Sequence, residues 1–230
     1  MVTMSTRPRL ALARPAEHPL AEAVRQSGWV AVPFLFMRTQ ASAVPPPRPV
    51  NTCTALIVLS PAAGRAVASG LSPGTLCLVQ GVGTAEAMGR EDLDIEIPVA
   101  ARAEALWALL RERFPKGGEF LLARGERSRE YLEVAAQNSV WRIHPWVTHR
   151  EVAAVPFPAW PEVEAVLALS PLQAEVLAPL SARVLRFAWG EATAAAFARA
   201  GVPAQDRCLP RPSQLGVMLA RHSKQEESPC

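Results

Sequence analysis

One supersecondary block occurs twice in this chain. Leu56-Ile57-Val58-Leu59-Ser60-Pro61 is followed by Gly81-Val82-Gly83-Thr84-Ala85, and Val166-Leu167-Ala168-Leu169-Ser170-Pro171 by Gly190-Glu191-Ala192-Thr193-Ala194. In each copy an apolar run of strand length ends in Ser-Pro. A second apolar run ends in Gly-x-x-Thr-Ala and leads into an alanine-rich helical segment. Continuous apolar runs of this kind belong to parallel strands covered on both faces. The serine and threonine stand 24 residues apart in one copy and 23 in the other. An offset of roughly 110 residues is too long for a solenoid repeat and suits a small α/β domain, so the block predicts two similar domains.

The flanking sequence says how they are divided. Leu10 to Ala13 reads as a strand, residues 15 to 26 as a helix stopped by Gly28, and Trp29 to Phe36 as a second strand. The proline-rich stretch Ala41 to Pro49 reads as a linker or surface loop. From Ala55 strands and helices alternate, with a helix over Arg102 to Phe114, a strand at Glu119 to Ala123, a helix over Ser128 to Gln137 and an edge strand at Val140 to His144. Residues 146 to 160 are extended by their prolines, and the repeat then returns. About five strands fall within residues 39 to 150, but only two or three after 160. The economical solution is a discontinuous domain of residues 1–38 with 151–230 and an inserted domain of residues 39–150, joined by two extended linkers. A last helix near Arg211 to Arg221 and a frayed tail from Ser223 complete the expectation.

Composition excludes several classes. A net charge of +3 without a clustered Lys/Arg stripe, and 6% aromatic residues, do not make a nucleic-acid surface. Cys53, Cys77, Cys208 and Cys230 show no metal-like spacing with the four histidines, which leaves reduced thiols and a cytoplasmic chain. No apolar segment reaches the length of a membrane span, and no signal-peptide core precedes the first strand. Walker, G-x-G-x-x-G and G-x-S-x-G motifs are absent, as is the acidic cluster of receiver domains.

Ligands of open parallel sheets bind at the carboxyl ends of the strands, where helix N-termini present free N–H groups. Ser60, Ser170, Gly81, Gly190, Thr84 and Thr193 all fall there, and Arg124 follows another strand end with a guanidinium able to fork a carboxylate. Each residue taken singly is an ordinary cap or turn. Their joint recurrence points to paired binding edges for an anionic small molecule.

In order along the chain, Arg14-Pro15, Leu59-Ser60-Pro61-Ala62, Gly81-x-x-Thr84-Ala85, Leu121 to Glu126, Leu169-Ser170-Pro171 and Gly190-x-x-Thr193-Ala194 resemble the uroporphyrinogen-III synthase family. The resemblance implies two flavodoxin-like α/β domains on a two-stranded linker. It further implies closure of hydroxymethylbilane to uroporphyrinogen III with loss of water and inversion of ring D, as a step of tetrapyrrole synthesis. No cofactor or metal is implied, and the expected chain is a monomer binding neither nucleic acid nor membrane, with at most transient contact to the preceding pathway enzyme. By the same resemblance Arg14, Ser60, Gly81, Thr84, Arg124, Ser170, Gly190 and Thr193 bind substrate. The family's threonine before Arg14 is replaced by Ala13. Its catalytic tyrosine aligns with Trp146, while the only tyrosine, Tyr131, falls in a predicted helix. His144 and His149 stand near that position as alternative proton donors. The competing reading is a non-catalytic two-lobed tetrapyrrole or polycarboxylate binder.

Overall fold

The computed structural model describes residues 7–223. The chain opens with β1 (Arg9–Leu12), α1 (Pro19–Gln26), β2 (Val30–Pro33) and β3 (Met37–Ala41). It continues through β4 (Ala55–Val58), α2 (Pro61–Val67), β5 (Leu76–Val79), α3 (Val82–Met88), β6 (Asp94–Glu96), α4 (Ala103–Arg113), β7 (Gly118–Gly125), α5 (Tyr131–Ala135) and β8 (Trp141–Ala153). The last stretch holds β9 (Ala165–Ala168), α6 (Pro171–Leu177), β10 (Leu185–Trp189), α7 (Glu191–Arg199), β11 (Asp206–Cys208) and α8 (Pro212–His222). Two compact units result, one made of the residues up to Arg38 with those from Ala153 onward, the other of Thr39–Val152.

Each unit is built on its own sheet. The discontinuous unit has the order β11-β10-β9-β1-β2, and the inserted unit β3-β8-β7-β4-β5-β6. All pairs among β1, β2, β9, β10 and β11 are parallel, as are those linking β4 to β8. Parallel neighbours demand crossovers, and the helices that make them cover both faces. Alternation along the strands therefore feeds two cores per sheet. Leu56, Val58, Leu121 and Ala123 enter one core of the inserted unit, while Ala55, Ile57, Phe120 and Leu122 enter the other.

The two sheets share one arrangement with the chain cut at different places. Read from β4, the inserted unit runs β4-α2-β5-α3-β6-α4-β7-α5-β8. Read from β9, the other runs β9-α6-β10-α7-β11-α8 and is completed by β1-α1-β2 from the N-terminal segment. Their spatial orders, β6-β5-β4-β7-β8 and β11-β10-β9-β1-β2, then coincide strand for strand. Register agrees as well. Ile57 pairs with Leu122, and its counterpart in the repeat, Leu167, pairs with Leu12. The units are circular permutants of one topology.

Local chemistry moves several expected boundaries. The second strand is shorter than Trp29–Phe36, because Trp29 turns inward and donates its indole N–H to the Leu219 carbonyl at 3.1 Å. The expected helix from Ser128 starts only at Tyr131, because the Ser128 hydroxyl is committed to the Gly125 N–H at 3.1 Å. The strand expected to end at His144 runs on to Ala153 and is covered by β3, so it is not an edge. Cys53, Cys77 and Cys208 are free; Ser223, the expected start of the frayed tail, donates its N–H to the Leu219 carbonyl at 3.1 Å, and the rest of that tail with Cys230 lies outside the described residues.

Leu122 is fully buried between β4 and β8. Leu122→Ala is expected to cost about 2–5 kcal/mol of unfolding free energy, measured by urea titration of the whole chain.

Candidate functional site

The repeated motifs stand at the carboxyl edges of both sheets. Ser60 and Ser170 are the N-caps of α2 and α6, accepting from Ala63 N at 3.1 Å and Gln173 N at 3.3 Å. Both keep extended backbone, and the proline that follows each begins the helix with a nitrogen that needs no acceptor. In the second copy the buried Gln173 turns back to accept from Leu169 N at 2.8 Å.

The two glycines solve different problems. Gly81 has ordinary extended backbone but packs closely, since a β-carbon would stand 3.0 Å from that of Ala101. Gly190 has φ of +96°, a left-handed conformation that a side chain would strain. Thr84 and Thr193 are both buried, yet they are not equivalent. Thr193 donates its hydroxyl to the Trp189 carbonyl at 3.1 Å. The Thr84 hydroxyl makes no hydrogen bond among the described residues and stays available.

The matched registers also pair residues that the sequence repeat had not. With Leu12 equivalent to Leu122, Arg14 corresponds to Arg124, and the signal is legible afterwards as Leu-Ala-Arg at both places. Their environments differ. Arg14 is half-buried, donates to the Ala13 carbonyl at 3.0 Å and has no carboxylate partner among the described residues. Arg124 is buried, with Nε 2.8 Å from Glu133 and Nη2 3.6 Å from Glu130. It is neither a free fork nor part of a solvated cluster. Arg124 ties the start of α5 to the end of β7.

Trp146 falls into the same scheme. Its partner in β7 is Ala123, and the equivalent aromatic in the other unit is Phe34, each following a proline. Phe34 packs among Phe36, Phe157 and Trp160, and Trp146 packs against the Leu56, Val58 and Ala123 core. The indole N–H donates to the Val44 carbonyl at 2.9 Å, fastening the proline-rich segment to the sheet. That donor is spent internally. Trp146, expected at the position of an acid, is here a clamp.

Both histidines lie on β8, His144 opposite Leu121 midway along β7 and His149 opposite Gly125 at its carboxyl end. His144 contacts the Glu119 carboxylate, which also receives Arg48 at 2.8 Å and faces Arg142 at 3.6 Å. The histidine contact above all holds the Glu119 carboxyl below its ordinary range. This cluster is at the amino end of β7, away from the Ser and Thr motifs, and it secures Arg48 of the proline-rich segment. His149 pairs with Gly125 at the carboxyl end and is buried. Burial is the main cause that lowers its pKa.

A family model described as uroporphyrinogen-III synthase HemD matches residues 18–213. Among solved structures, a variant uroporphyrinogen III synthase from Thermus thermophilus is similar at 20% identity and a TM-score of 0.50, covering 96% of this chain and 100% of that one. The Helicobacter pylori uroporphyrinogen-III synthetase is similar at 11% identity and a TM-score of 0.61, covering 92% and 98%. At these identities the structural likenesses concern the fold. No curated protein sequence matches significantly.

Arg124→Ala strands Glu133 in a site that is mostly closed to water and is expected to cost about 3–5 kcal/mol in chemical denaturation. Glu133→Ala in addition should recover part of that loss, because the second change removes the unpaired charge.

Proposed function

The chain belongs to the uroporphyrinogen-III synthase family and is an enzyme of that lyase class, and we propose that it binds hydroxymethylbilane through the carboxyl edges of its two sheets. The reaction closes a linear tetrapyrrole to uroporphyrinogen III with loss of water and inversion of ring D. The observation that carries the binding assignment is the recurrence of capped Ser, Gly-x-x-Thr and an arginine at equivalent positions of both permuted sheets.

The chemistry asked of such a site is modest. The substrate is a polycarboxylate, and carboxylates are held well by backbone N–H groups, hydroxyls and a guanidinium. Arg14, which has no carboxylate partner among the described residues, is the cation assigned to a substrate carboxylate. Arg124 positions its turn instead. Ser60, Gly81 and Thr84 in one unit, and Ser170, Gly190 and Thr193 in the other, supply neutral donors and close backbone approach. Holding the chain folded with its ends near one another supplies much of the rate and of the regiochemistry. Among the described residues no helix is long and apolar enough to cross a membrane. A cytoplasmic monomer, meeting the preceding pathway enzyme only transiently, is the state assigned here.

Purified protein with freshly generated hydroxymethylbilane is expected to give isomer III on chromatography. Isomer I alone, the spontaneous product, would refute the reaction. Tight uroporphyrinogen binding without turnover would identify a non-catalytic binder. Thr84→Val should raise KM several-fold more than Thr193→Val, since only the second hydroxyl is committed internally. Trp146→Phe removes a clamp and no acid, so it should cost about 1 kcal/mol of stability and leave kcat nearly unchanged.

A further inference from the structure

Beside the carboxyl end of β7 the inserted unit contains a hollow of about 440 Å³, lined on one side by Gln40–Val44 and on the other by Glu126, Val147, His149 and Arg150. That volume lies within the range of small-molecule sites, about 300–1,000 Å³. Its one uncommon group is a buried imidazole with one nitrogen engaged and the other open. Nδ1 of His149 lies 3.1 Å from the Thr148 hydroxyl, and that hydroxyl donates to the Arg124 carbonyl at 3.3 Å. With the hydroxyl proton on the Arg124 carbonyl, the oxygen is free to accept from the ring, and in that tautomer Nδ1 carries the hydrogen and Nε2 the lone pair. Nε2 has no hydrogen-bond partner among the described residues.

Gly125 keeps that nitrogen accessible. A β-carbon at this position would stand 2.9 Å from Nε2 and 3.3 Å from Cε1. The glycine is outside the left-handed region, so space is what requires it. The arrangement has the parts of a general base: an orienting hydroxyl, a second ring nitrogen without a hydrogen-bond partner among the described residues, and a ligand-sized hollow that the residue lines.

We propose that His149 is a catalytic residue of the cyclisation, taking the N–H proton of the pyrrole that bears the hydroxymethyl group and delivering it to the departing hydroxyl. The proposal rests on the uroporphyrinogen-III synthase reaction assigned above. As Nε2 accepts the proton, the N–H electron pair forms a C=N bond, and the ring electrons shift to an exocyclic C=C bond. The C–O bond breaks with its pair on oxygen, and the proton carried by Nε2 joins that oxygen. Water leaves, the imidazole ends neutral, and the azafulvene formed is uncharged. Arg150 offers the hollow a cation for the carboxylates of the ring.

The charged groups around the ring are Glu126 on the turn after β7, Arg150 and Glu151 on β8, and Arg65 on α2. Burial lowers the imidazole pKa most, Arg65 adds to that and Glu151 opposes it. The ring is therefore neutral at neutral pH, and the base form is lost as pH falls through a value below the ordinary histidine range.

The test uses the full chain, fresh hydroxymethylbilane and isomer-resolved chromatography. Wild type should form isomer III with a kcat that declines on the acid side; isomer I alone overturns the assigned reaction and this proposal with it. With isomer III formed, His149→Gln should lower kcat about a hundredfold, leave KM within a few-fold and abolish the acid limb, in a protein folded by circular dichroism. Wild-type kcat in that variant, or an unchanged acid limb, overturns the proposal. Should the variant fail to fold, a kcat and acid limb left unchanged by Thr148→Val overturn it equally. Thr148→Val, which releases Nδ1, is expected to lower kcat and move the acid limb at constant KM.

Discussion

Parallel pairing is the constraint on which the molecule depends. Strands that all run one way must be joined by crossovers, and every carboxyl end then falls on one edge of the sheet. Ser60, Thr84 and Gly125 are far apart in sequence, yet they share an edge because β4, β5 and β7 are parallel neighbours. The same rule gathers Arg14, Ser170 and Thr193 at the edge of the other sheet. No special loop architecture is needed to bring these residues together, since the direction of the strands collects them.

Much of this was legible in the sequence, for physical reasons that can be named. A fully buried parallel strand has no polar face, so Ala55–Val58 and Ala165–Ala168 show as unbroken apolar runs, and the Ser-Pro after each is a cap signal that survives without context. β11 was harder to see, because three residues carry almost no periodicity. The permutation was hidden as well. Chain order places the Leu-Ala-Arg of β1 ahead of its repeat partner's strand in one unit and behind it in the other, and only hydrogen-bond register aligns them.

The site was less legible than the fold, because a side chain's chemistry depends on what has already claimed its donors. Arg14 and Arg124 are indistinguishable in type and position within the repeat, but Glu133 has captured one of them. Trp146 carries an N–H that suits a donor role until Val44 is seen to accept it. His144 and His149 are five residues apart on one strand, which puts one opposite the middle of β7 and the other opposite its carboxyl end. One sits in a cluster of arginines and a carboxylate; the other is buried with its Nδ1 against the Thr148 hydroxyl. Spacing alone could not rank them.

The discontinuity of the first unit bears on how the chain reaches its native state. β1 pairs with β9, with Leu10 opposite Ala165, so a contact at the heart of one sheet joins residues separated by more than half the chain. Closing so long a loop from an open coil is slow, and its entropic cost grows with length. The intervening residues form a unit that begins and ends on adjacent strands, β3 and β8. Once that unit has condensed, its two ends are neighbours and the effective loop between Leu10 and Ala165 shrinks to the short flanking segments. The insertion thus sets an order of assembly: the second-born half must close before the first-born half can finish.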